Sequence, residues 1–419
     1  MKTFIVATPL FDFRMAVQGY RLKYRNGEKL FGALDDHLGF TEALSSPGLD
    51  LLQQTGVEPF AGEFPVFVDV NEYQLLMGVP TNYKLDPRSL VVVLSNDVKT
   101  DAESISRIEM LKNAGYGLAF SGVPNDQNAA LVDLAEHLIL DHYEINFSEL
   151  INTLTRHVRR KRIIVDNVPS MDAFDKLGTF TNILYGGTFY SQPIMGSGTE
   201  ISPLKLNAIN LMNIINQEDF DLTQIAQTIE RDPSLSISLL RFINNSSLGR
   251  TRQIDSIRSA VAILGQKEVK RWATVAISVQ LADDRPSEVT RLSLIRAKFA
   301  ENLAPFFELG ILAPTLFMCG LFSMLDVILQ RPMDQALKEV AVDDRVRATL
   351  LDRTGELAGV MELIYAYESA DWDKASILMV RNGINIQDLN STFVDTLLWY
   401  RQLLDSISED NDEYEAVEE

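Results

Sequence analysis

The stretch from Ile229 to Gly265 packs helix punctuation and apolar spacing so densely that a row of short, packed helices is what satisfies it. Asp232 stands before Pro233, where a carboxylate caps the helix start and proline occupies the turn in which a missing N–H costs nothing. From there Leu235, Leu239, Leu240 and Ile243 recur on one helical face. Asn244-Asn245-Ser246-Ser247 and then Gly249 predict a stop and a turn. A second amphipathic run, apolar at Ile257, Ala260, Val261 and Leu264, closes at Gly265.

The pattern extends upstream. Ser202 before Pro203 predicts a helix that buries Leu211, Met212 and Ile215. Asp221, with Gln224 three residues on, predicts a capping box for a helix buried through Ile225, Ala226 and Ile229. No strand alternation of comparable quality follows residue 200. Before it, strands are predicted at Phe4 to Phe11, Ala16 to Tyr24, Pro65 to Val70, Leu90 to Leu94, Tyr116 to Phe120, His137 to Leu140 and Arg162 to Val165. Helices are predicted at Ala102 to Asn113 and Phe147 to Arg159. Such alternation predicts a parallel α/β fold, and the number of units suits a barrel. The cations from Arg156 to Arg162 then complement a helix end rather than a nucleic acid.

Charge narrows the partners. A formal net charge of -20 disfavours unspecific attraction to nucleic acid or anionic lipid. A DNA-binding helix-turn-helix is the competing reading of Leu222 to Asn244. Glu230 and Asp232 fill the break where a turn glycine belongs, and Asp219 and Asp221 add charge that phosphates repel. The single cysteine, Cys319, lies in an apolar run and reads as a buried structural thiol. Leu309 to Leu325 contains Pro314 and Gly320 and is short for a bilayer, so it reads as a core helix. With no signal peptide in the first residues, a cytoplasmic location is expected.

Asp-Pro-Ser-Leu at 232–235, Leu-Leu-Arg-Phe-Ile-Asn-Asn-Ser at 239–246, Ile254 with Ile257, and Ala-Ile-Leu-Gly at 262–265 closely resemble the HDOD domain, an all-helical relative of the HD phosphohydrolases. The segment 3–193 resembles the EAL barrel, through Ala7-Thr8-Pro9-Leu10-Phe11-Asp12 and Gly19-Tyr20-Arg21-Leu22-Lys23-Tyr24-Arg25 at its entry and Gly187-Thr188-Phe189-Tyr190-Ser191-Gln192-Pro193 at its exit. Active members hydrolyse cyclic di-GMP with two metal ions, which needs converging carboxylates. At the matching positions the family's ligands are replaced by Arg21, Val93, Asn96, Ser121, Gly122, Ile139, Pro169 and Gly186. Vestiges of the site are Arg25, Asp69 and Asp141. Where HD proteins carry a His-Asp pair the sequence reads Ser323-Met324, and none of the four histidines lies after His157.

The resemblance implies an α/β plus all-α chain: a degenerate EAL-type barrel over 1–195, a linker at 196–202, an HDOD domain over 203–405, and an acidic disordered tail at 406–419. It implies a non-catalytic signal-transduction adaptor, not an enzyme, with no metal or other cofactor, that acts through protein partners and not through DNA or membrane, homo-oligomer formation being left open. Arg241, Arg250, Arg252, Arg258 and Lys270 are the interaction candidates. The alternatives are a nucleotide-sensing effector and a residual hydrolase using Asp69 and Asp141.

Overall fold

A computed structural model describes residues 3–26, 46–178, 180, 182–192, 203–217, 220–245, 254, 256–281, 287–340 and 342–408. The expected linker, the turn glycine Gly249, His37, Arg250, Arg252 and most of the acidic tail lie outside them. Among the described residues no helix is long and apolar enough to cross a membrane.

Eight strands close into a barrel in chain order: β1 Thr3–Phe11, β2 Val17–Asn26, β3 Val66–Val70, β4 Leu90–Leu94, β5 Gly117–Ser121, β6 His137–Asp141, β7 Arg162–Val168 and β8 Ile183–Gly187. One expectation needs correction. The barrel is not wholly parallel, because β1 runs antiparallel to both β2 and β8. The turn at Asp12 dictates this, since its carboxylate accepts from the N–H groups of Arg14 and Ala16 and folds β2 straight back. Strand β8 escaped the sequence reading because Ile183-Leu184-Tyr185 runs into Gly186-Gly187, which scores as a turn. Helix Ala102–Asn113 has the expected bounds, and the second helix ends at His157.

Leu10, Phe67, Val91, Val93, Ala119, Ile139, Ile164 and Leu184 fill the barrel interior. Val93 and Ile139, two of the positions that lack the family's polar groups, are therefore packing residues here. The basic run is spent locally, with Lys161 Nζ donating to the carbonyl of Ala135 at 2.6 Å and Arg162 to Gln18.

At the barrel's lower rim, His137 stands edge-on to Phe67 with a ring nitrogen buried and unpartnered. Burial, helped by Arg162, pushes its pKa down to about 4. Above pH 6.5 the ring is neutral in both the folded and unfolded chain. As pH falls from 6.5 towards 4 the unfolded chain takes up the proton first, so stability is lost across that window, on the order of 3 kcal/mol at its lower end. The urea midpoint of the parent is expected to fall more steeply over this range than that of His137→Gln; parallel slopes would refute it.

The chain divides into two compact units, residues 1–192 with 365–391, and 193–364 with 392–419. The segment 365–391, which the sequence reading gave to the helical domain, belongs with the barrel. The Tyr367 hydroxyl donates to the carbonyl of Ile5 at 2.8 Å, and Tyr367 meets Trp372 edge to face. Trp372 is a packing residue and Asp371 caps its helix, as expected.

Among the helices of the second unit are α1 Pro203–Ile215, α2 Leu222–Glu230, α3 Pro233–Asn245, α4 Ile257–Leu281, α5 Ser287–Leu303 and α6 Ala313–Phe322. Asp232 caps α3 by accepting from Leu235 N–H. Asp221 caps α2 through Thr223 N–H alone, without the expected box. Gly265 does punctuate its run: with φ of 71° it kinks α4. Asn244 explains its motif by donating to the carbonyls of Leu240 and Ile254 and accepting from Ile254 N–H, which ties Ile254 to the end of α3. The expected core helix over Leu309 to Leu325 needs trimming: the stretch is buried from Cys319 onward, with Leu316 a turn earlier, whereas Ile311 stands 96% exposed before the helix begins. Burial pushes the Cys319 thiol up to about 12.

Candidate functional site

Carboxyl strand ends are where a barrel of this kind places chemistry, and three aspartates gather there: Asp69 of β3, Asp141 at the end of β6 and Asp166 of β7. Strand alternation puts Arg21 and Lys23 of β2 on one face. Arg21 reaches both Asp166 at 2.6 Å and Asp69 at 3.0 Å. Lys23 Nζ donates to Asn167 Oδ1 at 2.8 Å and lies 3.8 Å from Asp166. Asn167, held at φ 57°, donates in turn to Asp141 Oδ2 at 2.7 Å. Asp69, Arg21, Asp166, Lys23, Asn167 and Asp141 thus form one continuous polar chain across four strands.

Asp166 is its centre. Its side chain is 1% exposed, against 39% for Asp69, so the two ion pairs are unequal. The buried pair carries the energy, because an isolated buried carboxylate is strongly disfavoured while a half-exposed pair is screened by solvent. Burial works against the Arg21 guanidinium, yet Asp69 and Asp166 outweigh it and hold its pKa above the ordinary value. Room for Asp166 comes from Gly186, where a Cβ would stand 2.7 Å from Asp166 Oδ1.

Of the vestigial residues, Asp69 and Asp141 both belong to this chain. Arg25 lies on β2 opposite Phe4, and its side chain is outside the described residues. Sequence reasoning gave Asp166 no role and passed over Lys23 and Asn167. The available signals were the Asp166-Asn167 step ending a strand and the two-residue spacing of Arg21 and Lys23. Ser121 and Gly122 stay out of the network, and Asn96 accepts from Asn128.

The family's two metal ions do not fit this arrangement. The site a cation would fill between Asp69 and Asp166 is taken by Arg21, and among the described residues no group of three or more His, Cys, Asp or Glu is placed to hold a metal. A parallel substitution occurs in the helical unit. Ser323 and Met324, which stand in place of the His-Asp pair, contact the buried guanidinium of Arg296 at 3.2 and 3.0 Å.

Of the interaction candidates, Arg258 and Lys270 have described side chains, and both lie on α4. Arg258 pairs with Glu230 at 3.2 Å, and burial lowers the pKa of Lys270. Arg241 belongs to α3, with its side chain outside the described residues.

Residues 201–359 match the family model described as the HDOD domain. The chain is 27% identical to the uncharacterized protein YuxH of Bacillus subtilis, over 97% of this chain and 100% of that one. It is 22% identical to the cyclic di-GMP phosphodiesterase CdgJ of Vibrio cholerae, over 96% of this chain and 93% of that one. Similar solved structures include the PaMucR phosphodiesterase in complex with c-di-GMP, with a TM-score of 0.38 and 17% identity over 46% of this chain and 97% of that one. The EAL enzyme Bd1971, bound to cAMP and cyclic di-GMP, matches with a TM-score of 0.36 and 12% identity over 46% of this chain and 62% of that one, less than two thirds of its length. The likeness to CdgJ overturns the expectation that the chain is not an enzyme. A relative aligned over nearly the whole chain is named as a phosphodiesterase, so ligands missing from the expected positions do not place this chain outside that class.

Proposed function

We propose that this chain is a cyclic di-GMP signalling protein whose barrel mouth takes the cyclic dinucleotide and whose helical unit passes that state to a protein partner. The observation that carries the reading is the polar chain at the strand ends, where Lys23 is oriented by Asn167 and stands partly exposed beside Arg21. A cation preset in this way meets a phosphate without having to be ordered first. Near-full-length likeness to a relative named for cyclic di-GMP supports the choice of nucleotide. Support for a protein output comes from large apolar side chains left exposed on three helices of the second unit, Leu206 of α1, Ile237 of α3, and Ile263 and Val279 of α4.

Titration of the full chain with cyclic di-GMP, in magnesium or manganese and with turnover followed in parallel, tests the reading. Binding is expected, with or without turnover, and at least tenfold weaker in Lys23→Met, which leaves the Arg21–Asp166 pair intact. Absence of both binding and turnover in the parent would overturn it, as would full affinity in the variant.

A further inference from the structure

The helical unit holds a cleft lined by its own residues. A cavity of about 350 Å³ opens between α1, α2 and the start of α3, lined by Asn207, Asn210, Gln224, Gln227, Arg231 and Asp232. Ile214 and Leu235 contribute its apolar part, and Thr228 is tied back to the Gln224 carbonyl.

The spacing places these polar side chains on one face of each helix. Asn207, Asn210 and Ile214 recur at i, i+3 and i+7 on α1, while Gln224, Gln227 and Arg231 repeat that spacing along α2 and its final turn. The opposite stripes, Ala208, Leu211 and Ile215 on α1 and Ile225 and Ile229 on α2, are fully buried and account for packing. The amide stripes therefore do not hold the helices together.

Several other amides of the unit are committed to structure. Asn213 donates to the Glu339 carbonyl, Gln266 to that of Phe220, and Gln280 to Asp232. By contrast, the side chains of Asn207, Asn210, Gln224, Gln227 and Arg231 make no hydrogen bond or ion pair to another described residue. Four amides and one guanidinium thus face a common space with their hydrogen-bonding capacity unspent. Asp232 adds a fixed acceptor, since its two oxygens are held by Leu235 N–H and Gln280 Nε2.

We propose that this cleft binds a purine nucleoside monophosphate. A side-chain amide donates and accepts on adjacent atoms, which matches the N6 and N7 pair of adenine, and a carboxylate accepts from an exocyclic amine. Arg231 supplies the planar fork for the phosphate. The volume lies near the lower end of the roughly 300–1,000 Å³ spanned by small-ligand pockets, a size for one nucleotide and not for a cyclic dinucleotide. An apolar ligand is excluded because it would strand the amides without partners.

Calorimetry on the full chain with AMP, GMP, CMP and ribose 5-phosphate tests this. At least one purine monophosphate is expected to bind ten times more tightly than CMP or ribose 5-phosphate, and to lose tenfold or more in Gln227→Leu and in Arg231→Gln. Both positions are exposed, so the variants keep the parent's melting temperature. Lys23→Met in the barrel leaves this affinity unchanged, which separates the site from the one proposed above. Equal binding of ribose 5-phosphate reduces the site to an anion contact and overturns the proposal; so does equal binding of CMP, or no binding by either purine.

Discussion

Arg21→Met is expected to destabilise the barrel unit by about 3–5 kcal/mol, the usual cost of removing one partner of a buried ion pair. The cost arises at Asp166, which keeps its charge in an almost fully buried site with the Asn167 N–H at 2.8 Å and Lys23 at 3.8 Å left to answer it. The half-exposed Asp69 contributes little. Trp372 packs within the same unit, so its fluorescence in a Trp272→Phe/Trp399→Phe background reports urea unfolding of the barrel separately from the helices. The double variant Arg21→Met/Asp166→Asn should recover more than half of the loss, because a neutral amide is far cheaper to bury than a stranded charge. Manganese should stabilise Arg21→Met more than the parent, since the variant leaves two carboxylates facing a gap the size of a cation. A single variant within 1 kcal/mol of the parent would show that the pair does not carry the weight assigned to it.

The second large effect is expected at Gly320, where α6 crosses α5 so closely that an added Cβ would stand 2.5 Å from the carbonyl carbon and oxygen of Arg296 and 2.6 Å from Ala297 Cα. Those neighbours are backbone atoms and cannot rotate aside. The helices must part, which carries Arg296 away from Ser323 and opens the core on both sides. Gly320→Ala should therefore cost about 3 kcal/mol, even though alanine is the better helix former by about 1 kcal/mol. Trp399 meets Phe317 of α6 edge to face and serves as the reporter. Unchanged unfolding would mean that the crossing tolerates a methyl group and that the glycine has another purpose.

The two positions show what a sequence exposes and what it withholds. Helix starts and strand cores were readable, because Asp232 before Pro233 and the apolar run Leu90 to Leu94 act within a few residues of themselves. That Arg21, Val93 and Ile139 are not metal-binding carboxylates was also readable, but not what each of them does in the barrel. The Arg21 partner lies 145 residues away, and an aspartate after a strand reads like any turn acid until the barrel closes. For the same reason the network was seen only at its ends, Asp69 and Asp141, while Asp166, Lys23 and Asn167 between them went unassigned. Helical periodicity carried the reading past residue 364 without a break, since a helix pattern gives no sign of which unit its apolar face covers. The amide stripe on α1 and α2 was hidden in another way. Asparagine and glutamine on a helix look like solvated surface, and the capping box assigned to Asp221 and Gln224 gave Gln224 a task it does not perform.

The hydrogen bond from Tyr367 to Ile5 joins residues 362 positions apart. At a synthesis rate of roughly 5–20 residues per second, some 20–70 s separate the appearance of the acceptor from that of its donor. Strand β1 is made before the helical segment, and it must wait for the chain up to Tyr367 to be made before its buried carbonyl finds this partner. A nascent barrel is accordingly an incomplete one, and the period in which it needs protection from aggregation is set by translation of the helical unit, not by the barrel's own folding rate.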